Sequence, residues 1–258
     1  MNDDRELALV LASVPVARAA AAHCHVDPAS GHSCAWYHGP WPVFRALGLV
    51  STAAVHETMM RDALAAIAAG GRHHDVLVSG STDFAMLALV HKAWAGQALR
   101  ATVTDLCPTP LRLCEWYAQA QGIDIDTHAG NILDFPREGC FDVICTHAFM
   151  GYFDDADRAR LVRRWHALLR PGGRLVTVQR LRENHPPGLA RFTPEQAARF
   201  RADAVAQAQR FPQRLGGMDT AELAAAAAAF TDNFRSHPIR SREAFRALFT
   251  TAGFRLEK

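Results

Sequence analysis

Three short polar clusters follow apolar segments of the chain, and together they have the residue types of a nucleoside-binding site. The first is Ser79-Gly80-Ser81, the second begins at Asp105 and the third at Asn131. Gly80 lets the backbone approach a ligand closely, and Asp105, 25 residues later, is placed to accept both hydroxyls of a ribose. We therefore expect a nucleoside-like ligand where these three segments end.

Apolar runs that alternate with helical patterns place these clusters at the ends of parallel strands. The pattern predicts five strands, which are Val76–Ser79, Ala101–Thr104, Asp124–His128, Phe141–Thr146 and Arg174–Arg180. It predicts helices between them at Phe84–Ala95, Pro110–Gln121 and Asp157–Leu169. Strands joined in this way form a doubly wound, mostly parallel α/β sheet, which binds ligands outside the carboxyl ends of its strands.

The order of these motifs resembles the class I S-adenosylmethionine-dependent methyltransferases, which have a Rossmann-like fold. The most specific segments are FDVIC at 141–145 and ALLRPGGRLVTVQ at 167–179. The resemblance covers residues 72–181 in detail. It implies a seven-stranded sheet, S-adenosylmethionine as cofactor and transfer of its methyl group. The chain departs from the family's glycine-rich turn at Thr82 and Phe84, where glycines are usual.

The same resemblance implies which residues contact the cofactor. The implied contacts are Ser79, Gly80, Ser81 and Asp83 at the methionine turn, Asp105 at the ribose, Leu106, Asn131 and Ile132 at the adenine, and Thr146 and His147 at the methionine end.

Two residues are candidates for the chemical step. His147 follows a strand end, and a histidine titrates near working pH, so it is a candidate general base; a packing or hydrogen-bonding role is the alternative. Tyr37 belongs to an aromatic run that is interpreted either as a lid over the cofactor or as ordinary packing. The candidate substrate-binding residues are Trp36, Tyr37, Trp41, Phe149 and Tyr152.

Helical patterns flank the predicted core on both sides. We expect an N-terminal helical lid segment at 1–70, the cofactor-binding core at 71–181, a helical insertion that covers the substrate at 182–237, and a last helix and strand at 238–258. A capping box predicts a helix from Thr193 onward. The last elements are predicted at Ser241–Ala252 (helix) and Phe254–Glu257 (strand).

Composition narrows the classes of partner. A formal net charge of +2 does not favour nucleic acid, and no apolar run is long enough to predict a membrane span. The six cysteines are interpreted as reduced thiols of a cytoplasmic protein. Histidines and cysteines at 23–38 have the types of a zinc site, but their spacing matches no closed tetrahedral pattern, so no metal is predicted.

The favoured function is methyl transfer to a small-molecule substrate, with a homodimer as one option for assembly. One alternative keeps the cofactor but cyclises its aminobutyrate group and releases methylthioadenosine, for which the altered glycine turn is the motivation. The other alternative is a non-catalytic binding protein with the same fold.

Overall fold

Short apolar segments form one parallel sheet at the centre of the chain. The computed structural model describes residues 2–28, 30–51, 53–71 and 75–257. Its strands are β1 (Asp75–Ser79), β2 (Arg100–Asp105), β3 (Ile125–Ala129), β4 (Phe141–His147) and β5 (Leu169–Val178). They lie in the order β3-β2-β1-β4-β5, and every neighbouring pair is parallel. The order reverses between β1 and β4, so a ligand crevice is expected outside their carboxyl ends.

Helices cover both faces of this sheet. The α-helices in the described part of the chain are α1 (Asn2–Ala21), α2 (Ala35–His38), α3 (Trp41–Ala46), α4 (Glu57–Ala68), α5 (Ala85–Ala93), α6 (Pro108–Gln121), α7 (Asp155–Leu168), α8 (Pro194–Arg210), α9 (Thr220–Asn233) and α10 (Arg242–Thr251). Val76 and Val78 of β1 pack with α4, α5 and α6, whereas Leu77 packs with α7 and α10. Alternate residues of one strand therefore fill two separate cores, as expected for a sheet buried on both faces.

The predicted fold class is confirmed, with corrections at the ends of the sheet. The five predicted strands all form, but β5 begins at Leu169, because Pro171-Gly172-Gly173 is accommodated within the strand beside a register shift. Parallel pairing outside these strands is limited in the described residues to one bridge between Leu181 and Ile239. The expectation of seven strands is therefore wrong for the described chain.

The predicted C-terminal strand is also wrong. Residues 254–257 have no regular structure. The Phe254 ring packs edge-on against His166 of α7 at 5.1 Å, and Glu257 forms an ion pair with Arg174. These contacts hold the segment against α7 and β5, so Phe254 is half-buried without strand pairing.

The N-terminal segment and the insertion share a third core. Phe44 of α3 contacts Phe200 of α8 and Phe230 of α9 at ring-centroid distances of 5.6 and 5.4 Å. The capping box at Thr193 forms as predicted, with Gln196 as its partner. Because α3 joins α8 and α9 here, the two flanking regions pack as one layer. None of the helices described is long and apolar enough to span a bilayer.

Candidate active site

The turn after β1 and the acid at the end of β2 are hydrogen-bonded to each other. Gly80 has a φ of +74°, which a residue without a Cβ adopts freely. Oδ2 of Asp105 accepts the amide N–H of Ser81 at 2.9 Å, and Oδ1 accepts that of Cys107 at 2.8 Å. Two backbone donors thus fix the carboxylate at the carboxyl end of β2. An ionised carboxylate retains further acceptor positions for ribose hydroxyls.

Burial has a measurable consequence for Asp105. It raises the pKa of this carboxyl to about 6, although His38 and the amides of Ser81 and Cys107 act in the opposite direction. The group is therefore charged at neutral pH, and it takes up a proton as the pH falls through about 6.

Other residues of the β1 turn are engaged within the protein. The Ser79 hydroxyl accepts a hydrogen bond from Trp165 Nε1 at 2.9 Å on the side of α7. Asp83 accepts from Arg45 at 2.8 Å through one oxygen and from the Ala85 amide at 2.8 Å through the other. The Ser79 side chain is therefore buried and bonded on the α7 side of the sheet. Asp83 ties the turn to α3, and its contact with a cofactor ammonium stays a prediction.

Residues at the end of β3 have the polarity expected for an adenine pocket. Asn131 Oδ1 accepts the Leu133 amide at 3.0 Å and so caps the short helix that contains Ile132. Ile132 is buried, whereas Leu106, after β2, is 51% exposed. The second lone pair of Asn131 Oδ1 can accept an adenine amino group, and Leu106 offers an apolar surface for its ring.

An aromatic ring covers the glycine turn. A Cβ added to Gly80 would lie 2.2 Å from a ring carbon of Phe149. Phe149 follows Ala148, whose φ of +53° makes it the one non-glycine residue with positive φ in the described chain. A non-glycine residue in this conformation is strained, and such strain is concentrated at functional sites. The Phe149 ring therefore packs directly on Gly80, at the turn where cofactor contact is predicted.

The end of β4 carries two further predicted residues. Thr146 is buried, and its hydroxyl has no hydrogen-bond partner among the described residues. His147 Nε2 lies 3.0 Å from Nδ1 of His56, which precedes α4. A buried hydroxyl without a partner at a strand end is available to form a hydrogen bond with a ligand.

An aromatic residue of the N-terminal segment, Tyr37, contacts the turn after β1. The Tyr37 hydroxyl lies 3.1 Å from the Thr82 hydroxyl and accepts from the Tyr152 hydroxyl at 3.1 Å. The Tyr37 ring stacks on Phe230 of α9 at 6.1 Å. Burial raises the pKa of Tyr37 well above 10, so its hydroxyl is a proton donor at neutral pH. Tyr37 contacts the turn and the insertion at once, as a lid residue or a packing residue would. Its role therefore stays a prediction.

The remaining predicted substrate residues surround Tyr37. Trp36 and Trp41 lie 5.6 and 4.9 Å from its ring, and Phe149 lies 6.1 Å from Tyr152. Tyr152 is 57% exposed, and the neighbouring Gly151 carbonyl accepts the His237 amide at the end of the insertion. The structure thus gathers this predicted set at one end of the sheet, although its role in substrate binding stays a prediction.

Comparison with known proteins shows what this site is similar to. Residues 79–173, from the end of β1 into β5, match the model of a methyltransferase domain. Its limits enclose the Gly80 turn, Asp105, Asn131 and His147, so the residues that resemblance assigned to the cofactor all belong to the domain. No curated protein matches the sequence.

Solved structures of methyltransferases are similar to this chain. An O-methyltransferase family protein from Burkholderia thailandensis superimposes with a TM-score of 0.51 at 17% identity, over 86% of this chain and 54% of that protein. Mitomycin 7-O-methyltransferase MmcR gives 0.49 at 18%, over 85% and 52%, and the S-adenosylmethionine-dependent methyltransferase SibL gives 0.47 at 18%, over 82% and 55%. The chain therefore spans about half the length of these proteins.

Three site residues of the methyltransferase domain and its surroundings were not predicted from sequence. His56 contacts His147, Arg45 binds Asp83, and Cys107 donates to Asp105. His56 and Arg45 lie in helical segments with no motif of their own. Cys107 could have been predicted from the sequence, because it follows Asp105 by only two residues.

The His147 side chain provides a test of the electrostatics in this site. Burial, reinforced by His56 and Arg180, lowers the pKa of His147 to about 4. Since the folded-state pKa lies below the ordinary value of about 6.5, we expect His147 to remain neutral from pH 8 to about 5. Histidine ring signals followed by NMR check this, and His147→Gln assigns the signal. A midpoint near 6.5 would show that the imidazole is solvated and that the His56 contact does not form.

Proposed function

We propose that the protein binds S-adenosylmethionine through its methyltransferase domain and transfers the methyl group to a small-molecule acceptor. The observation that carries the proposal is the fixed Asp105 carboxylate beside the Gly80 turn. A carboxylate at the end of the second strand accepts the two hydroxyls of a ribose, and its backbone donors keep both oxygens in place. The family match of residues 79–173 supports the same cofactor.

The chain's residues fit the two halves of the cofactor differently. Asp105, Leu106 and Asn131, which would contact the adenosine half, lie at adjacent strand ends. For the methionine half, the unpartnered Thr146 hydroxyl fits, but Phe149 must turn away from Gly80. We infer that binding of the methionine half displaces this ring.

When bound, S-adenosylmethionine supplies an electrophilic methyl group on a sulfonium. The protein's contribution to an in-line displacement is to align the acceptor and to exclude water. Tyr37 and Tyr152 would orient a polar acceptor by hydrogen bonds, with Tyr37 as a donor because its hydroxyl remains protonated. His147 would be only a weak general base for an acceptor that must lose a proton, because its pKa of about 4 lies well below working pH.

The small size of the acceptor is inferred from what covers the site. Tyr37 bonds to the turn residue Thr82 on one side and stacks on Phe230 of the insertion on the other. The end of the insertion is bonded to Gly151. The N-terminal segment and the insertion, packed as one layer, thus lie at the strand ends, which favours a small acceptor over an extended macromolecule. The net charge of +2 likewise gives no support to nucleic acid as substrate.

Product analysis tests the proposed reaction. The full chain is incubated with S-adenosylmethionine alone and with a panel of phenols, carboxylic acids and amines, and the nucleoside products are identified by mass spectrometry. We expect S-adenosylhomocysteine only in the presence of an acceptor. Methylthioadenosine formed without any acceptor would replace methyl transfer by intramolecular cyclisation, and failure to bind the cofactor would contradict both reactions.

A further inference from the structure

Three cysteines distant in sequence meet at the edge of the methyltransferase domain. The sulfur atoms of Cys24, Cys34 and Cys107 all lie within 4.8 Å of one another. Cys24 and Cys107 are buried, Cys34 is half-buried, and all three are free thiols. These three thiols lie close together and are largely shielded from water. Soft metal ions prefer sulfur ligands of this kind.

The local fold explains how Cys24 and Cys34 come together. The chain turns back after α1, with an antiparallel bridge between Val26 and Ser33. The Cys34 amide donates to the His25 carbonyl at 3.2 Å and the Asp27 amide to the His32 carbonyl at 3.0 Å. This hairpin brings its two cysteines side by side, which spacing along the sequence alone does not reveal.

The third thiol comes from the core of the domain. Cys107 precedes the first residue of α6, where no side chain caps the helix. The neighbouring Thr109 donates to the Ala20 carbonyl at 3.0 Å, and its hydroxyl lies 3.1 Å from the Cys24 sulfur. The Thr109 hydroxyl therefore fixes the end of α1 against α6. The same contacts hold the hairpin beside Cys107.

A buried histidine provides an independent second observation. His38 is 6% exposed, and its Nδ1 has no hydrogen-bond partner among the described residues. It lies at the end of α2, four residues after Cys34, which precedes the helix, so the two side chains are about one helical turn apart. A buried nitrogen without a partner, four residues from one of the three thiols, is explained by a ligand that it binds.

We propose that Cys24, Cys34, Cys107 and His38 form a structural zinc site. A Cys₃His set is one of the closed tetrahedral sets typical of structural zinc. Four bonds of about 2.0–2.3 Å place thiolates about 3.8 Å apart, so the sulfurs need to close in by less than about 1 Å. Binding converts three thiols to thiolates and releases three protons, and the imidazole binds in its neutral form.

The site has a consequence for the cofactor pocket. The Cys107 amide donates to Asp105, so zinc on the Cys107 sulfur would fix the turn that holds the ribose-binding carboxylate. It would also fasten the hairpin and α2, which carries Tyr37, to the domain. We therefore assign the zinc a role in positioning the N-terminal segment over the strand ends.

Metal analysis of the full chain tests the site without any cofactor. Protein purified from zinc-supplemented medium should carry about one zinc per chain, and Cys24→Ser or Cys107→Ser should lower the content about tenfold or more. Cys140→Ser, a half-buried cysteine outside the cluster, is the matched control and should retain the zinc. His38→Ala should weaken zinc binding about 10- to 100-fold, a loss typical of ligand-shell changes.

Cobalt substitution and thermal unfolding keep the test decisive if a cysteine variant folds poorly. Cobalt added to chelator-treated wild-type protein should give the intense absorption of a tetrahedral site with thiolate charge-transfer bands. Chelation should lower the unfolding temperature of the wild type. Zinc-free protein with a disulfide between two of the three cysteines, or cobalt spectra without thiolate bands, would overturn the proposal. Because these measurements need no S-adenosylmethionine, their failure is separate from failure of the proposed function.

Discussion

Asp105→Ala is expected to weaken binding of S-adenosylhomocysteine at least about tenfold, because hydrogen bonds to a charged group contribute about 1.5–3 kcal/mol. The substitution removes the acceptor for both ribose hydroxyls and leaves the Ser81 and Cys107 amides without their partner. Isothermal titration calorimetry of the wild type and the variant measures the change.

The pH dependence of the same titration distinguishes a direct role of Asp105 from a structural one. The wild type should lose affinity as the pH falls through about 6, since the carboxyl then takes up a proton. Asp105→Ala should lack this loss. Asp126→Ala, at an exposed position on the neighbouring strand β3, is the control and should bind as the wild type does. Equal affinity in the wild type and Asp105→Ala would show that the ribose lies elsewhere.

Gly80→Ala is expected to lower the free energy of unfolding by about 2–5 kcal/mol and to reduce cofactor binding. Part of the loss comes from the positive φ, which costs an L-residue about 1–2 kcal/mol. The rest comes from overpacking, about 1–3 kcal/mol, because the new Cβ would meet the Phe149 ring at 2.2 Å. Chemical denaturation with calorimetric binding measures both effects.

Two further variants separate strain from overpacking. Gly96→Ala has a similar φ of +77° but open space around its Cβ, so it should lose only the strain contribution. Adding Phe149→Ala to Gly80→Ala should recover the overpacking contribution. Phe149→Ala alone should tighten cofactor binding, because it removes the ring that covers the turn. If Gly80→Ala costs no more than Gly96→Ala, Phe149 does not rest on the turn in solution.

The sheet was predictable because its signal is local. Apolar runs such as that around Val76–Ser79 must be buried on both faces, and acids or amides that follow them lie at one edge of a parallel sheet. Asp105 and Asn131 lie at strand ends, as predicted. Residues Phe254–Glu257 do not form the predicted strand, because a short apolar pattern is equally satisfied by packing on a helix, as the Phe254 contact with His166 shows.

The contacts that close the site were not predictable, because they join residues far apart in sequence. His56 reaches His147, and Cys107 reaches Cys24 and Cys34, only through the packing of the N-terminal segment on the domain. Spacing within residues 23–38 gave no tetrahedral pattern, since the third thiol comes from the end of β2. The Phe149 contact with Gly80 depends on the positive φ of Ala148, for which the sequence has no signal.

A crystal structure with bound S-adenosylhomocysteine tests the central claim most directly. The account predicts both ribose hydroxyls within about 2.5–3.0 Å of the Asp105 carboxylate, the adenine beside Leu106 and Asn131, and the Phe149 ring displaced from Gly80. A ligand bound away from Asp105, or crystals that take up no ligand at saturating concentration, would contradict it.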